Sequence, residues 1–284
     1  MKILVKTNFE KPGSAQAIKR TVKKLIELGF IPMLDKTGAK AAALDGCHIG
    51  EFHENLPECD MILTIGGDGT ILHTVSETRG CRKPVLGINT GTIGFLTQLE
   101  VDELDKLSIL RDGSYKTTNR MMLEVTVADD GKEEVLFALN DAVLHRGASD
   151  RLTEILVSRT GGPVVTHRAD GVIFSTPTGS TAYSLSAGGA ISHPGLELIL
   201  MTAICPHSHF RNSLILSPDD VYKATEAPGG NKEGLVVIVD GIRAGVINNG
   251  GYLTIKKSAD SIPFIDLGVR DFYSCVGQKL SFRR

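Results

Sequence analysis

The sequence has no apolar run close to the roughly 20 residues that a membrane-spanning helix needs. It also has no block of basic residues, and its 31 Lys and Arg against 33 Asp and Glu leave a net charge of −2. This charge predicts neither a nucleic-acid partner nor attachment to a membrane surface. The first apolar residues, Ile3 to Val5, are typical of a strand and not of a signal peptide. We therefore expect a cytoplasmic protein.

Cysteine is scarce and scattered along the chain. There are five cysteines, an odd number, and none forms a Cys-x-x-Cys pair, so a disulfide framework is not expected. Cys205, His207 and His209 stand close together in the sequence, a pattern that could hold zinc. Because no fourth ligand accompanies them at a standard spacing, we predict no metal site there.

The composition is that of a globular protein, with 42% hydrophobic and 23% charged residues in a length sufficient for two domains. Across residues 1–100, apolar runs alternate with helical patterns, which predicts an α/β domain with a doubly wound parallel sheet. Across residues 101–268, strand patterns follow one another with short turns, which predicts an antiparallel, β-sandwich-like domain. A helical pattern over 269–284 is expected to return to the first domain.

A glycine corner, Gly66–Thr70, joins a predicted strand to a predicted helix. The apolar run before it, Met61 to Ile65, is of the kind found in strands buried on both faces. Glycines such as Gly67 and Gly69 let a ligand approach the N–H groups at the helix start, which predicts a phosphate cradle. Asp68 in such a cradle could accept a proton from an attacking hydroxyl or hold Mg²⁺. Alternatively, Asp68 only caps the helix.

A second glycine turn, Asn89–Leu96, follows the next predicted strand. Since the carboxyl ends of parallel strands meet at one edge of a sheet, Asn89 is expected near the glycine corner. Two such turns indicate a phosphate-rich ligand, although the glycines of the second could be ordinary loop residues. His73 lies one helical turn beyond Gly69, so it could contact phosphate or ribose or be a surface histidine.

The densest motif runs from Arg168 to Gly189 and contains a strand, a hydroxyl-rich run (Ser175–Gly189) and a short helix. Hydroxyl groups at a helix start are suited to ribose or phosphate oxygens, and the ring of Tyr183 could stack on a base. The alternative is a structural Ser/Thr-rich cap with one core tyrosine.

Two shorter pairs also carry polar side chains next to predicted strands. Asn140-Asp141 could present an amide and a carboxylate to ribose hydroxyls, or could form a turn. Asp240-Gly241 lies between two apolar runs and indicates a hairpin first and a ligand contact second.

Together these motifs resemble the ATP-NAD kinase family. The similarity covers residues 60 to 245 through the glycine corner, the second glycine turn, Asn140-Asp141, the block from Asp170 to Gly189, and Asp240-Gly241. The glycine corner is shared with lipid kinases, whereas the hydroxyl-rich run is specific to this family. The resemblance implies an N-terminal α/β domain and a C-terminal β-rich domain, in agreement with the patterns above.

The resemblance also implies roles for individual residues. Asp68 is expected to be the base for the 2′-hydroxyl of the adenosine ribose, and Asp240 corresponds to a carboxylate often contributed by a neighbouring subunit. This chain has Asp141 where many members have Glu, and Gly241 where some have His. The residues expected to bind the dinucleotide are Gly67, Gly69, His73, Asn89, Asn140, Asp141, Arg151, Arg168, Asp170, Ser175, Thr178, Thr181, Ala182, Tyr183, Ser184, Leu185, Ser186 and Asp240.

The implied reaction is phosphoryl transfer to NAD, with Mg²⁺ as cofactor and ATP or polyphosphate as donor, in a homodimer or homotetramer. Such transfer depends on alignment and charge neutralisation more than on covalent help. Two alternatives stay open at this point. A lipid or sphingoid kinase would share the glycine corner but need a long apolar cavity, and a regulator that only binds the dinucleotide would make no NADP.

Overall fold

The computed structural model describes residues 1–10, 13–78, 81–91, 94–149, 151–208, 210–227, 234–248 and 250–280. The chain forms two compact units, one of Met1–Asn119 with the segment from Ile262 onward, the other of Arg120–Ser261. Residues 101–119 and 262–268, which the sequence patterns put with the second domain, therefore cluster with the first unit.

The first unit is an α/β structure built on parallel strands. Its elements are β1 (Lys2–Thr7), α1 (Ser14–Glu27), β2 (Ile31–Leu34), α2 (Lys36–Ala42), β3 (His48–Ile49), α3 (Phe52–Glu58), β4 (Met61–Gly66), α4 (Asp68–Glu77), β5 (Val85–Asn89), β6 (Leu99–Glu100) and α5 (Ser108–Asp112). The strands pair in parallel in the order β3-β2-β1-β4-β5, with β6 beside β5. All six residues of β4 are buried, as its continuous apolar run predicts.

The core of the first unit forms between this sheet and the helices. The apolar face of α1, including Ile18 and Leu25, packs in one cluster with Ile3, Leu63 and Leu86 from the central strands. Burial of that face explains the helical spacing of apolar residues in α1. The pairing of β4 with β5 brings Gly66 beside Asn89, so the glycine corner and the second glycine turn leave the sheet side by side.

The second unit consists of two antiparallel sheets. Its elements are β7 (Lys116–Asp129), β8 (Lys132–Ala138), β9 (Asp141–His145), β10 (Thr153–Arg159), β11 (Gly162–Ala169), β12 (Gly171–Ser175), α6 (Tyr183–Ser186), β13 (Ile199–Ile204), β14 (Leu214–Leu216), β15 (Tyr222–Glu226), β16 (Leu235–Val239), β17 (Ile242–Ile247) and β18 (Tyr252–Asp266). One sheet has the order β14-β13-β12-β9-β16-β17, and the other contains β11-β10-β15-β18 with β7 and β8.

One apolar cluster joins the inner faces of both sheets, and Phe174, Val237, Leu123 and Tyr222 are among its members. This arrangement confirms the predicted fold class, α/β plus antiparallel β. Residues 134–146 and residues 164–176 each have the sequence pattern of one long strand, and each of these two strands is divided in the structure. The first is interrupted between β8 and β9 at Leu139–Asn140, and the second between β11 and β12 at Asp170.

The last helix, α7 (Phe272–Leu280), clusters with the first unit. It is shorter than the predicted 269–284, and residues 281–284 lie outside the part of the chain that the structure describes. Strand β18 begins in the second unit and ends in the first, where Phe264 pairs in parallel with Val85 of β5.

Candidate functional site

The glycine corner places a carboxylate at the first residue of α4. Gly67 is the N-cap of this helix, and no side chain caps it. The carboxylate of Asp68 instead accepts the main-chain N–H of Phe95 at 2.8 Å and that of Leu96 at 3.1 Å. The simple helix-cap interpretation of Asp68 is therefore wrong, since its oxygens are used to hold the second glycine turn.

At two positions of these turns a glycine is needed, because a side chain there would collide with a neighbouring side chain. A Cβ on Gly94 would lie 1.8 Å from Oδ1 of Asp68, and one on Gly66 would lie 2.1 Å from Oγ1 of Thr70. Gly69 differs, because it is exposed and a Cβ there would meet no atom within 4 Å. Its small size leaves the surface of the corner open to a ligand, in the way that glycine-rich phosphate cradles require.

Asn89 lies beside the corner with an unused acceptor. The residue is 2% exposed, and its Nδ2 donates to the carbonyl of Gly91 at 2.6 Å. Among the residues described, its Oδ1 and the buried Oγ1 of Thr90 have no hydrogen-bond partner. Buried acceptors and hydroxyls are almost always paired, so this end of β5 is suited to a polar ligand. Thr92 and Ile93 of the same turn lie outside the described residues.

His73 is on the outer surface of α4. Its Nδ1 lies 3.5 Å from Glu77, a carboxylate that also pairs with Lys6 at 2.8 Å. The side chain is 62% exposed. Its predicted contact with the dinucleotide stays a prediction, and the structure gives it a local partner along the helix.

The C-terminal helix supports the second glycine turn, a relation that the sequence analysis missed. The ring of Phe95 lies 6.5 Å from that of Phe272, and Nζ of Lys279 stands 4.5 Å over the Phe95 ring. Cys275 of the same helix is buried, and burial is the main reason that its pKa is raised, with the charge of Asp68 adding to the effect. Helix α7 therefore contacts the turn whose N–H groups hold Asp68.

In the second unit, the junction between β8 and β9 is held by Asp240. The carboxylate of Asp240 accepts the N–H groups of Leu139 at 2.8 Å, Asn140 at 2.8 Å and Asp141 at 3.1 Å. The hairpin that the Asp240-Gly241 pair indicated is present between β16 and β17. Both oxygens of Asp240 accept main-chain N–H groups of this chain, and the contact with a neighbouring subunit that the family resemblance implies stays a prediction.

Asp141 begins β9 and is 5% exposed. Burial, followed by the nearby charge of Asp240, raises the pKa of Asp141 to about 7, and a hydrogen bond from the N–H of Tyr183 opposes this rise. A raised pKa follows because a buried carboxylate loses hydration and meets a like charge. Burial raises the pKa of Asp240 as well, against the effect of its three N–H donors.

Most hydroxyl groups of the hydroxyl-rich run have partners inside the protein. Ser175 donates to the carbonyl of Asn140 at 3.2 Å, Thr176 donates to the carbonyl of Leu139 at 2.6 Å, and Ser184 lies 3.1 Å from the hydroxyl of Thr202. Ser175 and Ser184 are fully buried. The structure thus gives these two predicted ligand contacts internal roles. Thr178 Oγ1 is buried and without a partner in the described structure.

The parts of the run that reach the surface lie around α6. Tyr183 is 42% exposed, Ser186 is exposed, and three further predicted residues are partly exposed. Those three are Thr181, Ala182 and Leu185. Burial, and then the charges of Cys205, Asp141 and Asp170, raises the pKa of Tyr183.

Asp170 has a cationic partner that the sequence analysis did not single out. Nε of Arg146 donates to its carboxylate at 2.6 Å, and the main-chain N–H of Arg146 donates to its carbonyl at 3.0 Å. Arg168 is exposed on β11, and its carbonyl accepts the N–H of His207 at 2.7 Å. Arg151 is exposed in the connection between β9 and β10.

Neither a metal cluster nor a membrane span is found in the part of the chain that the structure describes. No group of three or more His, Cys, Asp or Glu side chains among those residues could hold a metal ion. No helix among them is long and apolar enough to cross a membrane. His209, one of the three residues considered for zinc, lies outside the described residues. Asp68 beside an open Gly69 fits Mg²⁺ that arrives with phosphate oxygens, because such Mg²⁺ commonly has only one or two carboxylate ligands.

A glycine-lined carboxylate corner on a parallel α/β unit, next in sequence to an antiparallel β unit, is typical of a protein that handles phosphorylated ligands. The ATP-NAD kinase N-terminal domain family matches residues 48–110, and the ATP-NAD kinase C-terminal domain family matches residues 139–267. The chain belongs to the ATP-NAD kinase family.

Relatives and solved structures agree with this assignment. The NAD kinase of Caldanaerobacter subterraneus subsp. tengcongensis is 36% identical over 284 residues, 99% of each chain. That of Clostridium beijerinckii is 38% identical over 232 residues, 80% of each. The crystal structure of yeast NADH kinase complexed with NADH has a TM-score of 0.89 at 27% identity, covering 100% of this chain and 88% of that one. An NAD kinase from Archaeoglobus fulgidus in complex with ATP shares the fold, with a TM-score of 0.75 at 23% identity and 98% coverage of each.

Proposed function

We propose that this chain transfers the terminal phosphoryl group of ATP to the 2′-hydroxyl of the adenosine ribose of NAD, giving NADP, with Asp68 as the general base. As a member of its family the chain is an NAD kinase. The observation that carries the residue assignment is the carboxylate of Asp68, fixed at the glycine corner by the N–H groups of Phe95 and Leu96.

The geometry of Asp68 suits proton transfer. Each oxygen of its carboxylate accepts one main-chain N–H, which fixes the orientation of the group and leaves further lone pairs for a ligand hydroxyl. As the ribose oxygen attacks the terminal phosphorus of ATP, its proton passes to Asp68 and ADP leaves. Orientation of this kind is the main contribution a protein makes to phosphoryl transfer, whose transition state needs little covalent help.

The two glycine turns are proposed to hold phosphate. Main-chain N–H groups at Gly67 and Gly69 lie at the start of α4, where the helix dipole favours negative charge. Asn89 and Thr90 offer unpaired polar atoms at the end of the neighbouring strand. Bound Mg²⁺ supplies neutralisation of the charge that develops on the phosphates. Asp68 is the carboxylate at this corner that could hold it.

The second unit is proposed to bind NAD through the junction before β9 and the surface of α6. Asn140 and Asp141 would accept hydrogen bonds from ribose hydroxyls, and the exposed ring of Tyr183 is available for stacking on a base. Arg168 and Asp170 are proposed to flank this region. We further propose a homodimer or homotetramer in the cytoplasm and the use of polyphosphate as a second donor.

The assignment of Asp68 is tested by Asp68→Asn, with transfer of label from ATP to NAD as the readout. We expect turnover to fall about 10²- to 10⁴-fold, the usual range for a general base, while NAD still binds. Asp60→Asn is the matched control, because Asp60 also accepts a main-chain N–H, from Lys2 at 2.6 Å, but precedes β4 at the opposite end of the strand. Near-normal turnover of Asp68→Asn would refute the base assignment.

The same assay separates the alternatives that the motifs alone left open. Family membership decides against a lipid kinase, and labelled ATP with a sphingoid base in place of NAD should give no product. A regulator that only binds the dinucleotide would bind NAD and leave the label on ATP. Formation of labelled NADP by the unmodified protein excludes that second alternative.

A further inference from the structure

Asp240 lies in a tight turn and directs its carboxylate inward. It adopts a left-handed backbone conformation with φ of 47°, followed by Gly241 with φ of 80°, as two-residue hairpins of type I′ require. Its carboxylate accepts three consecutive N–H groups, from Leu139, Asn140 and Asp141, and its own N–H donates to the carbonyl of Asp141 at 3.0 Å. Four hydrogen bonds therefore connect this turn to the junction before β9.

The junction needs such a partner because it lies between two strands. Leu139 and Asn140 belong to neither β8 nor β9, so the sheet ladders do not define partners for their N–H groups. The carbonyl of Asn140 is held as well, by the N–H of Thr176 at 2.8 Å. With its N–H on Asp240 and its carbonyl on Thr176, Asn140 has a fixed backbone, which fixes the direction of its side chain.

The charge of Asp240 also acts on its neighbour. Asp141 is buried next to Asp240, and this charge is the second cause, after burial, of the raised pKa of Asp141. The phenol of Tyr183 interacts electrostatically with Asp141, and Cys205 and Asp170 act on the same phenol. Arg146 is paired with Asp170 at 2.6 Å, so the positive charge of Arg146 lies beside the carboxylate of Asp170.

We propose that Asp240 is a positioning residue for dinucleotide capture: its carboxylate aims Asn140 and Asp141 at the ligand, and its charge makes affinity for NAD fall as the pH drops through neutrality. The proposal rests on the proposed NAD site of the second unit. Its chemical reason is that ribose hydroxyls are donors, so Asp141 binds them best as an ionised acceptor, and the charge of Asp240 adds to burial in raising the pH at which Asp141 takes up a proton.

The test compares Asp240→Asn with the unmodified protein, by calorimetric Kd for NAD and by KM for NAD, from about pH 5.5 to about pH 8.5, a range that brackets a carboxyl titrating near neutrality. The variant keeps the side-chain shape but loses the charge and one acceptor. We expect Kd to rise about tenfold at pH 8, the usual order for loss of a hydrogen bond to a charged group. The midpoint of the pH dependence should move to lower pH, because the charge that raised the pKa of Asp141 is gone.

Asp130→Asn is the matched control. Asp130 occupies the same kind of turn, Asp130-Gly131 with φ of 47° and 72°, but its side chain is exposed. This control should keep both the Kd and the midpoint of the unmodified protein. If Asp240→Asn proves unstable, Asp141→Asn provides a second test, since removing the titrating group should leave a Kd that does not depend on pH in this range.

Two results would overturn the proposal: an Asp240→Asn protein with an unchanged midpoint, or an Asp141→Asn protein that keeps the original pH dependence. Failure of the proposed function has a different signature. A protein that binds NAD but forms no NADP would contradict the kinase assignment, while its Kd would still report on Asp240.

Discussion

Replacing Asp141 by Asn should stabilise the protein at neutral and alkaline pH. The pKa of this carboxyl rises from the ordinary 3.8 to about 7 in the folded chain. Below about pH 4, Asp141 carries a proton in both the folded and the unfolded chain, so its ionisation does not change the free energy of unfolding. As the pH rises toward 7, the unfolded chain releases the proton while the folded chain retains it, so stability falls. One pKa unit corresponds to about 1.4 kcal/mol, which gives a loss of about 4 kcal/mol above pH 7.

The amide side chain of the Asp141→Asn variant has nearly the same shape as the carboxyl and is neutral at every pH. Its Oδ1 can still accept the N–H of Tyr183, the hydrogen bond that the carboxylate accepts now. The assay is urea unfolding at pH 4 and pH 8 in the absence of NAD, conditions that lie on either side of the titration. We expect the variant to match the unmodified protein at pH 4 and to exceed it by up to about 4 kcal/mol at pH 8.

The difference between the two pH values is the decisive quantity, because general effects of the substitution appear at both. A variant that is no more stable than the unmodified protein at pH 8, relative to pH 4, would refute the assignment of a buried carboxyl with a raised pKa at this position. Asp130→Asn controls for loss of one negative charge, since Asp130 is exposed and its removal should change neither value by more than about 0.5 kcal/mol.

Two glycine substitutions test the close approaches in each unit. Gly94→Ala would put a Cβ 1.8 Å from Oδ1 of Asp68, so we expect turnover to drop at least about 10²-fold, as for other misplaced catalytic groups. Gly91→Ala in the same turn is the control, because its Cβ would meet no atom within 4 Å and the variant should stay active. Equal turnover of the two variants would contradict the proposed geometry. Gly179→Ala would put a Cβ 2.1 Å from the carbonyl of Asn140, and thermal unfolding should show a loss of at least about 2 kcal/mol, against little change for Gly245→Ala, where space is open. A Gly179→Ala protein as stable as that control would contradict this prediction, because the junction would then accommodate the Cβ without loss of stability.

The fold class could be predicted because local patterns agree with the tertiary structure over most of the chain. The continuous apolar run of β4 predicted a strand buried on both faces, and all its residues are buried. Two strands of the second unit, β13 and β15, were not predicted. β13 is also fully buried, but its apolar run carries no alternation to distinguish it from a buried helix segment.

The divided strands show what a single sequence cannot reveal. The residues from 134 to 146 look like one strand because apolar residues flank Asn140-Asp141 on both sides, and the pair itself indicates a turn only as one of two alternatives. The interruption arises because Asp240, about a hundred positions away, takes their N–H groups out of the ladder. An aspartate before a glycine indicates a hairpin turn, and nothing in that signal shows which way its carboxylate points. The pairing of Arg146 with Asp170 could not be predicted either, because the sequence does not show which way these two side chains point.

The hydroxyl-rich run holds the junction before β9 through hydrogen bonds to its main chain. Most of its buried hydroxyls bind main-chain groups: Thr176 also accepts the N–H of Gly179 at 3.0 Å, and Ser180 accepts that of Ser192 at 3.0 Å. Small residues are needed there, since a Cβ on Gly189 would lie 2.2 Å from Oγ of Ser184. Replacing Thr176 or Ser180 by Ala would leave the main-chain groups that they bind without these partners. The run therefore supports the backbone of Asn140 and carries Tyr183 at the surface, so its buried hydroxyls act on the proposed site through the structure that they hold.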